Sequence, residues 1–287
     1  MFVDVFPAEY FFSGGGRRQG ERGHEHGCYS SAGLESSSRM NLEALSRKLF
    51  SAVDTGVSAL RAIARGRPGE EGGRFVELDG RRWASDLALS RQFLMRVQEA
   101  KWNRDDGGVH WRGIPNIKDP VDLALYPLLL WELKPRTVIE IGSFQGGSAL
   151  WFADLLDAMR VGPFHVHSFD IDPGRVKVTD DPRITFRRCD SMVPSTIDAE
   201  VLAKAPHPWL VIEDAHVNVK AVLTHLNRSM RSGDYLVVED TCYIREKHEA
   251  LREFARAHPG QFQVDTRFTD LFGYNSTFNF NGYLRKR

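Results

Sequence analysis

Four short apolar runs, each ending on acid, recur in the middle of the chain: Val138-Ile139-Glu140, Val166-His167-Ser168-Phe169-Asp170, Leu210-Val211-Ile212-Glu213-Asp214 and Tyr235-Leu236-Val237-Val238-Glu239-Asp240. Runs of this length, apolar on both faces, predict strands buried in a parallel sheet. Ile184-Thr185-Phe186-Arg187-Arg188 predicts a fifth strand. Between the runs, helices are expected over residues 121–133, 148–160, 198–205, 217–231 and 246–258. Strands alternating with helices predict a doubly wound, mainly parallel α/β sheet. After residue 260 the pattern changes, and residues 262–267 and 277–284 predict two strands joined as an antiparallel hairpin on the sheet's edge. Carboxylates at the carboxyl ends of parallel strands mark the ligand edge of such a sheet.

Upstream, Leu42, Leu45, Leu49, Val53, Val57, Leu60 and Ile63 keep the three-and-four spacing of an amphipathic helix over residues 41–64. Phe75-Val76-Glu77-Leu78, Asp79-Gly80 and Arg81-Arg82-Trp83 predict a small hairpin, and a second helix is expected over residues 85–101. Residues 13–39 are rich in Gly, Ser, Arg and Glu, too polar to offset chain entropy by burial. The organisation expected is a disordered tail over residues 1–39, an N-terminal helical and hairpin extension over 40–107, and the main domain over 108–287. Met40 directly precedes the first patterned helix, so residues 1–39 are expected to be dispensable.

Charge balances, with Lys plus Arg 38 against Asp plus Glu 38, which leaves no bulk attraction to nucleic acid or an anionic membrane. Cys28, Cys189 and Cys242 are odd in number and far apart, as in a protein of a reducing compartment. The amino terminus shows no basic leader with an apolar core, and the longest apolar run, residues 123–131, is short and contains Pro127. A cytoplasmic protein without a membrane span is expected.

Glu140-Ile141-Gly142-Ser143-Phe144-Gln145-Gly146-Gly147-Ser148 leaves a strand and enters a helix, where glycines permit a sharp turn and close approach to a ligand. The spacing is G-x-x-x-G-G, not the G-x-G-x-x-G that seats a dinucleotide's pyrophosphate. With Glu140 ahead of it, the loop resembles the S-adenosyl-L-methionine (SAM) loop of methyltransferases. Glu140, Gly142, Ser143, Gly146, Gly147 and Ser148 are its candidate residues. Asp170 would take both ribose hydroxyls, since a carboxylate accepts two hydrogen bonds at once. Asp190 and Ser191 stand where such enzymes hold the adenine amino group. The plainer readings are a tight turn at the glycines and helix caps at the acids.

Asp214, Glu239 and Asp240 close neighbouring strands, and three carboxylates together repel unless a cation or proton intervenes. An all-oxygen set favours a hard ion, Mg2+ first. Alternatively, Glu239 and Asp240 pair with Lys or Arg, and Asp214 caps the following helix. Glu213 should point to the other side of its strand. His216 is close enough to act as general base, or is a plain surface residue. Tyr243 is a candidate substrate contact or a packed aromatic, and His165 and His167 are assigned no role.

The chain resembles the cephalosporin hydroxylase and rhamnosyl O-methyltransferase family of metal-dependent, class I (Rossmann-like) methyltransferases. The marks are Trp111-Arg112-Gly113, Lys118-Asp119-Pro120 with Asp122, Val138 to Ser143 with Gly146-Gly147-Ser148, Glu213-Asp214-Ala215-His216, Gly233-Asp234-Tyr235 with Val238-Glu239-Asp240, and Phe272-Gly273 leading to Asn281-Gly282-Tyr283-Leu284. The resemblance implies SAM as cofactor, Mg2+ at Asp214, Glu239 and Asp240, and O-methylation of a small hydroxylated acceptor, a sugar or antibiotic-like metabolite. It also suggests a homo-oligomer. No His-rich iron triad supports the hydroxylase half of the family name. A nicotinamide-dependent sugar oxidoreductase and a catalytically silent binding module are the competing readings.

Overall fold

The computed structural model describes residues 73–86, 97, 101 and 109–287. The expected tail over residues 1–39 and helix over 41–64 lie outside the described residues, as does most of the helix over 85–101, of which Val97 and Lys101 are helical.

Ten strands are described: β1 (Phe75–Val76), β2 (His110–Trp111), β3 (Ile114–Pro115), β4 (Thr137–Ile141), β5 (His165–Asp170), β6 (Ile184–Arg188), β7 (Trp209–Glu213), β8 (Tyr235–Val238), β9 (Phe262–Asp265) and β10 (Tyr283–Lys286). The α-helices with described bounds are α1 (Pro120–Leu133), α2 (Gly147–Ala158), α3 (Ala199–Lys204), α4 (Val219–Asn227), α5 (Arg245–Ala257) and the single turn α6 (Thr266–Thr269). β2 and β3 form a separate ribbon, and the other strands make one sheet in the order β1-β9-β10-β8-β7-β4-β5-β6. From β8 to β6 all pairings are parallel.

Alternation along the strands explains why both faces are covered. Ile139, Ile141, Val211, Leu236 and Val238 face one core, with Val201, Val222, Leu226, Leu251 and Phe254 of α3, α4 and α5. Val138, Val166, Leu210, Ile212 and Val237 face the other, with Leu125, Leu129, Leu150, Trp151 and Phe152 of α1 and α2.

The far edge carries the expected antiparallel pair, β9 with β10, but the second strand starts later than the pattern predicts. β10 inserts between β8 and β9, antiparallel to both, with Tyr283 opposite Val237 and Leu284 opposite Val264. It begins at Tyr283 because residues 277–282 are a buried loop crossing close to β8. There, a Cβ on Gly282 would meet Val238 O at 2.3 Å. The edge itself is β1, paired with β9. Phe75-Val76 therefore does not fold back on Arg81-Trp83; Leu78–Gly80 is a 3-10 turn. Arg74 and Arg81 instead reach Asp265 and Asp270 in the C-terminal segment, which outcompetes a local hairpin. No described helix is long and apolar enough to cross a membrane.

Candidate active site

β4 pairs with β5 on one side and β7 on the other, so the winding reverses between β4 and β7 and leaves a crevice at their carboxyl ends. The loops leaving these two strands touch. Gly142 turns at φ 113°, and a Cβ there would stand 2.9 Å from the backbone carbonyl of Asp214. Gly147 opens α2 against the β2–β3 ribbon, where a Cβ would stand 2.0 Å from Pro115 O. Gly146, at φ 86°, faces Phe186. At these positions glycine is required by the chain's own close packing as well as by the turn. Beneath the loop Glu140 is fully buried; its Oε1 accepts from Ser148 Oγ at 2.5 Å and its Oε2 from Ser168 Oγ at 2.6 Å. Ser143 Oγ lies 2.6 Å from Ser168 Oγ. Glu140, Ser143 and Ser148 thus tie the loop to β4 and β5 through one another.

Farther along the edge, Asp170 Oδ2 accepts from Phe144 N at 2.8 Å and Oδ1 from Asp172 N at 3.0 Å. Each oxygen keeps a further lone pair for a ligand. Asp190 Oδ1 accepts from Met192 N at 2.9 Å, and the Ser191 carbonyl accepts from Asn218 Nδ2 at 3.1 Å. Ile171, Met192 and Val193 stand 52%, 64% and 49% exposed beside these acids, an apolar surface suited to a flat base. A recess of about 30 Å3 lies nearby, lined among others by Ile117, Lys118, Gly142, Gly147, Ser148 and Asp214, but not by Gly146. Small-molecule pockets run from about 300 Å3 upward. The recess as it stands is smaller than a ligand the length of SAM.

The acids after β7 and β8 divide into two cells. In one, the buried Lys118 ammonium donates to Asp214 Oδ2 at 2.8 Å and Glu239 Oε2 at 2.6 Å, with Glu140 Oε1 at 3.9 Å. The Tyr126 hydroxyl donates to the other oxygen of Glu239. In the second, His216 Nε2 lies 3.2 Å from Asp240 Oδ2 and 3.7 Å from Asp214 Oδ1. One ligand atom each from Asp214, His216 and Asp240 falls within 4.8 Å of the others. Of the three expected carboxylates, then, Asp214 and Asp240 are gathered with His216. Glu239 is engaged by Lys118 and Tyr126, while Asp240, in a turn at φ 58°, is directed to His216.

The electrostatics follow from these pairings. Burial opposes the charge of Lys118, but Asp214, Glu239 and Glu140 raise its pKa well above the ordinary lysine value. Burial likewise opposes ionisation of Asp214, and Lys118 with His216 more than offsets this, holding the carboxyl below the usual range. Asp240 is held low against burial by Lys101 and His216. Lys247 Nζ contacts Glu213 Oε2 at 2.8 Å and His216 Nδ1 at 2.8 Å. An ammonium can only donate, so Nδ1 is the acceptor and the ring hydrogen sits on Nε2, aimed at Asp240. Phe144, His216, Asn218 and Asp240 all take positive φ near this edge.

Sequence reasoning missed Lys118, Tyr126, Lys247 and Lys101. Lys118-Asp119-Pro120 was visible as a family mark without a chemical role, and nothing local announces the others. Tyr243 donates its hydroxyl to Asp119 Oδ1 at 3.1 Å, and His165 and His167 lie half-buried side by side on β5 with their rings tilted by 49°.

This geometry has relatives. Residues 105–287 match the family model described as Rhamnosyl O-methyltransferase/CmcI. The chain belongs to this family. The rhamnosyl O-methyltransferase of Mycobacterium leprae (strain TN) is 34% identical over 197 residues, covering 62% of this chain and 82% of that protein. Among solved structures, the Mg-SAM form of CmcI is 30% identical, with a TM-score of 0.55 over 65% of this chain and 83% of that one. The CmcI apo-structure is 28% identical, with a TM-score of 0.55 over 77% and 91%. Membership in the rhamnosyl O-methyltransferase/CmcI family identifies the sheet as that of a class I methyltransferase and the chain as an O-methyltransferase, which sets aside the nicotinamide-dependent reading.

Proposed function

We propose that the chain transfers the methyl group of SAM to a hydroxyl of a sugar or antibiotic-like small molecule in a Mg2+-dependent reaction. The observation that carries this reading is the gathering of Asp214, Asp240 and His216 at the sheet's crevice, beside the glycine loop. The donor set fits a hard divalent ion: two carboxylates converge, each turning one oxygen toward His216. Asp170, Asp190, Ser191 and the exposed Ile171 and Met192 suit an adenosine, with acceptors for hydroxyls beside an apolar surface. When bound, SAM supplies an electrophilic methyl and Mg2+ supplies positive charge that acidifies a nearby hydroxyl.

The residues do the rest. Asp214 and Asp240 hold the ion, with Glu239 available to it once Lys118 lets go. The Glu140, Ser143 and Ser148 network fixes the loop that orients the cofactor, and orientation is what an in-line displacement needs most. His216, 35% exposed and in contact with both carboxylates, is the candidate to take the acceptor's proton, which requires the hydrogen on Nε2 to leave first.

The test is methyl transfer from labelled SAM to rhamnosyl-bearing and other hydroxylated acceptors, with Mg2+ or with excess chelator. Turnover should require Mg2+, and Asp214→Asn and Asp240→Asn should each lower it by about 100-fold or more while S-adenosylhomocysteine still binds. Absence of any labelled product would overturn the reading, and undiminished turnover in chelator would remove the ion from it.

A further inference from the structure

Lys118 is placed to belong to two sites at once. Its ammonium is shared between Asp214 and Glu239, and the same side chain lines the recess under the glycine loop together with Gly142, Gly147 and Ser148. It is 2% exposed, so whatever partner it leaves must be replaced by another. Glu239 does not depend on Lys118 for its position, because Tyr126 holds its second oxygen. Asp214 likewise has a second oxygen turned to His216. Both acids can therefore accept a different cation without moving far. A lysine suits such an exchange, since its four-carbon stem swings a compact charge with three donors.

Resting on the methyltransferase reading above, we propose that Lys118 couples the metal and cofactor sites. While no ion is bound, its single positive charge is shared between Asp214 and Glu239. When a divalent cation takes over these acids, like-charge repulsion drives the ammonium into the recess, where it pairs with the carboxylate of the cofactor's methionine end. Metal and cofactor then strengthen each other's binding, and reciprocity requires the same factor in both directions.

The experiment is calorimetric titration of the full chain with S-adenosylhomocysteine, with and without saturating Mg2+, and with Mg2+ alone. This probe keeps the methionine carboxylate but lacks the sulfonium charge, so direct repulsion by the ion is small. In the native protein Mg2+ should tighten the probe by about tenfold. In Lys118→Met the factor should fall to about one, and Mg2+ alone should bind more tightly than to the native protein, because no ammonium has to be displaced. Absent coupling in the native protein, or coupling that survives in Lys118→Met, overturns the proposal. If the probe fails to bind the native protein at all, the cofactor reading falls first and the coupling with it, a result distinct from binding without coupling. Should Lys118→Met not fold, Glu239→Gln is the second variant: with one anchor of Lys118 weakened, the probe should bind severalfold more tightly without Mg2+, and unchanged affinity overturns the proposal.

Discussion

A histidine beside two carboxylates reads in sequence as a general base, yet Lys247, 31 residues away along the chain, decides what its ring presents. With the ammonium donating to Nδ1, Nε2 carries a hydrogen toward Asp240, so proton uptake requires that hydrogen to leave first. His216→Gln separates the two roles, since Gln can still donate to Asp240 but cannot take a proton. If His216 accepts the proton, kcat should fall by about 100-fold or more with KM little changed; near-native kcat would leave it a donor only. Asp214 and Asp240 were legible as a pair because each follows an apolar run of strand length. Pairing of Glu239 with a Lys or Arg was one of the open readings, but which one was not legible, because Lys118 is 121 residues distant and is brought there only by the loop before α1.

At the level of elements, the periodicities locate β4 to β8 and the helices between them to within a few residues, since burial on both faces leaves an unmistakable apolar run. The local hairpin expected over residues 75–83 was misread for a physical reason. Strand order past β8 depends on which chain segment can satisfy β8's free side, and buried polar residues such as Asn275 and Asn281, bonded to Arg82 O, hold residues 81–86 there. The contact between the start of α2 and the β2–β3 ribbon is equally nonlocal. Gly147→Ala places a methyl 2.0 Å from Pro115 O and should cost about 1–3 kcal/mol by overpacking, lowering Tm by roughly 5 °C. The same variant should bind S-adenosylhomocysteine more weakly, because Pro115 and Gly147 both line the recess. An unchanged melting curve would show that the ribbon moves aside freely.

For the molecule as a whole, equal counts of acidic and basic residues conceal a strong local imbalance, in which buried acids near the crevice are matched by the buried lysines Lys101, Lys118 and Lys247. Asp122 of α1 lacks such a lysine. Burial pushes its pKa up to about 6, even though Thr277 and Tyr283 donate to Oδ1 at 2.6 and 2.8 Å. The unfolded chain ionises there near 3.8, so the contribution of this group is intact below that pH and is lost as pH rises through about 6. The shift of about 2 units corresponds to about 3 kcal/mol. Relative to the native protein, Asp122→Asn should therefore gain stability by that order between pH 4 and pH 7 in urea titrations, and a constant difference across the range would overturn the argument. The sequence alone determined the alternating layers, the acid-tipped strands and the glycine loop, because hydrophobic period and local turn chemistry are properties of neighbouring residues. Only the tertiary structure decided which carboxylates face one another and which ammonium stands between them, because charge pairing in a buried site is set by distances that chain order does not encode.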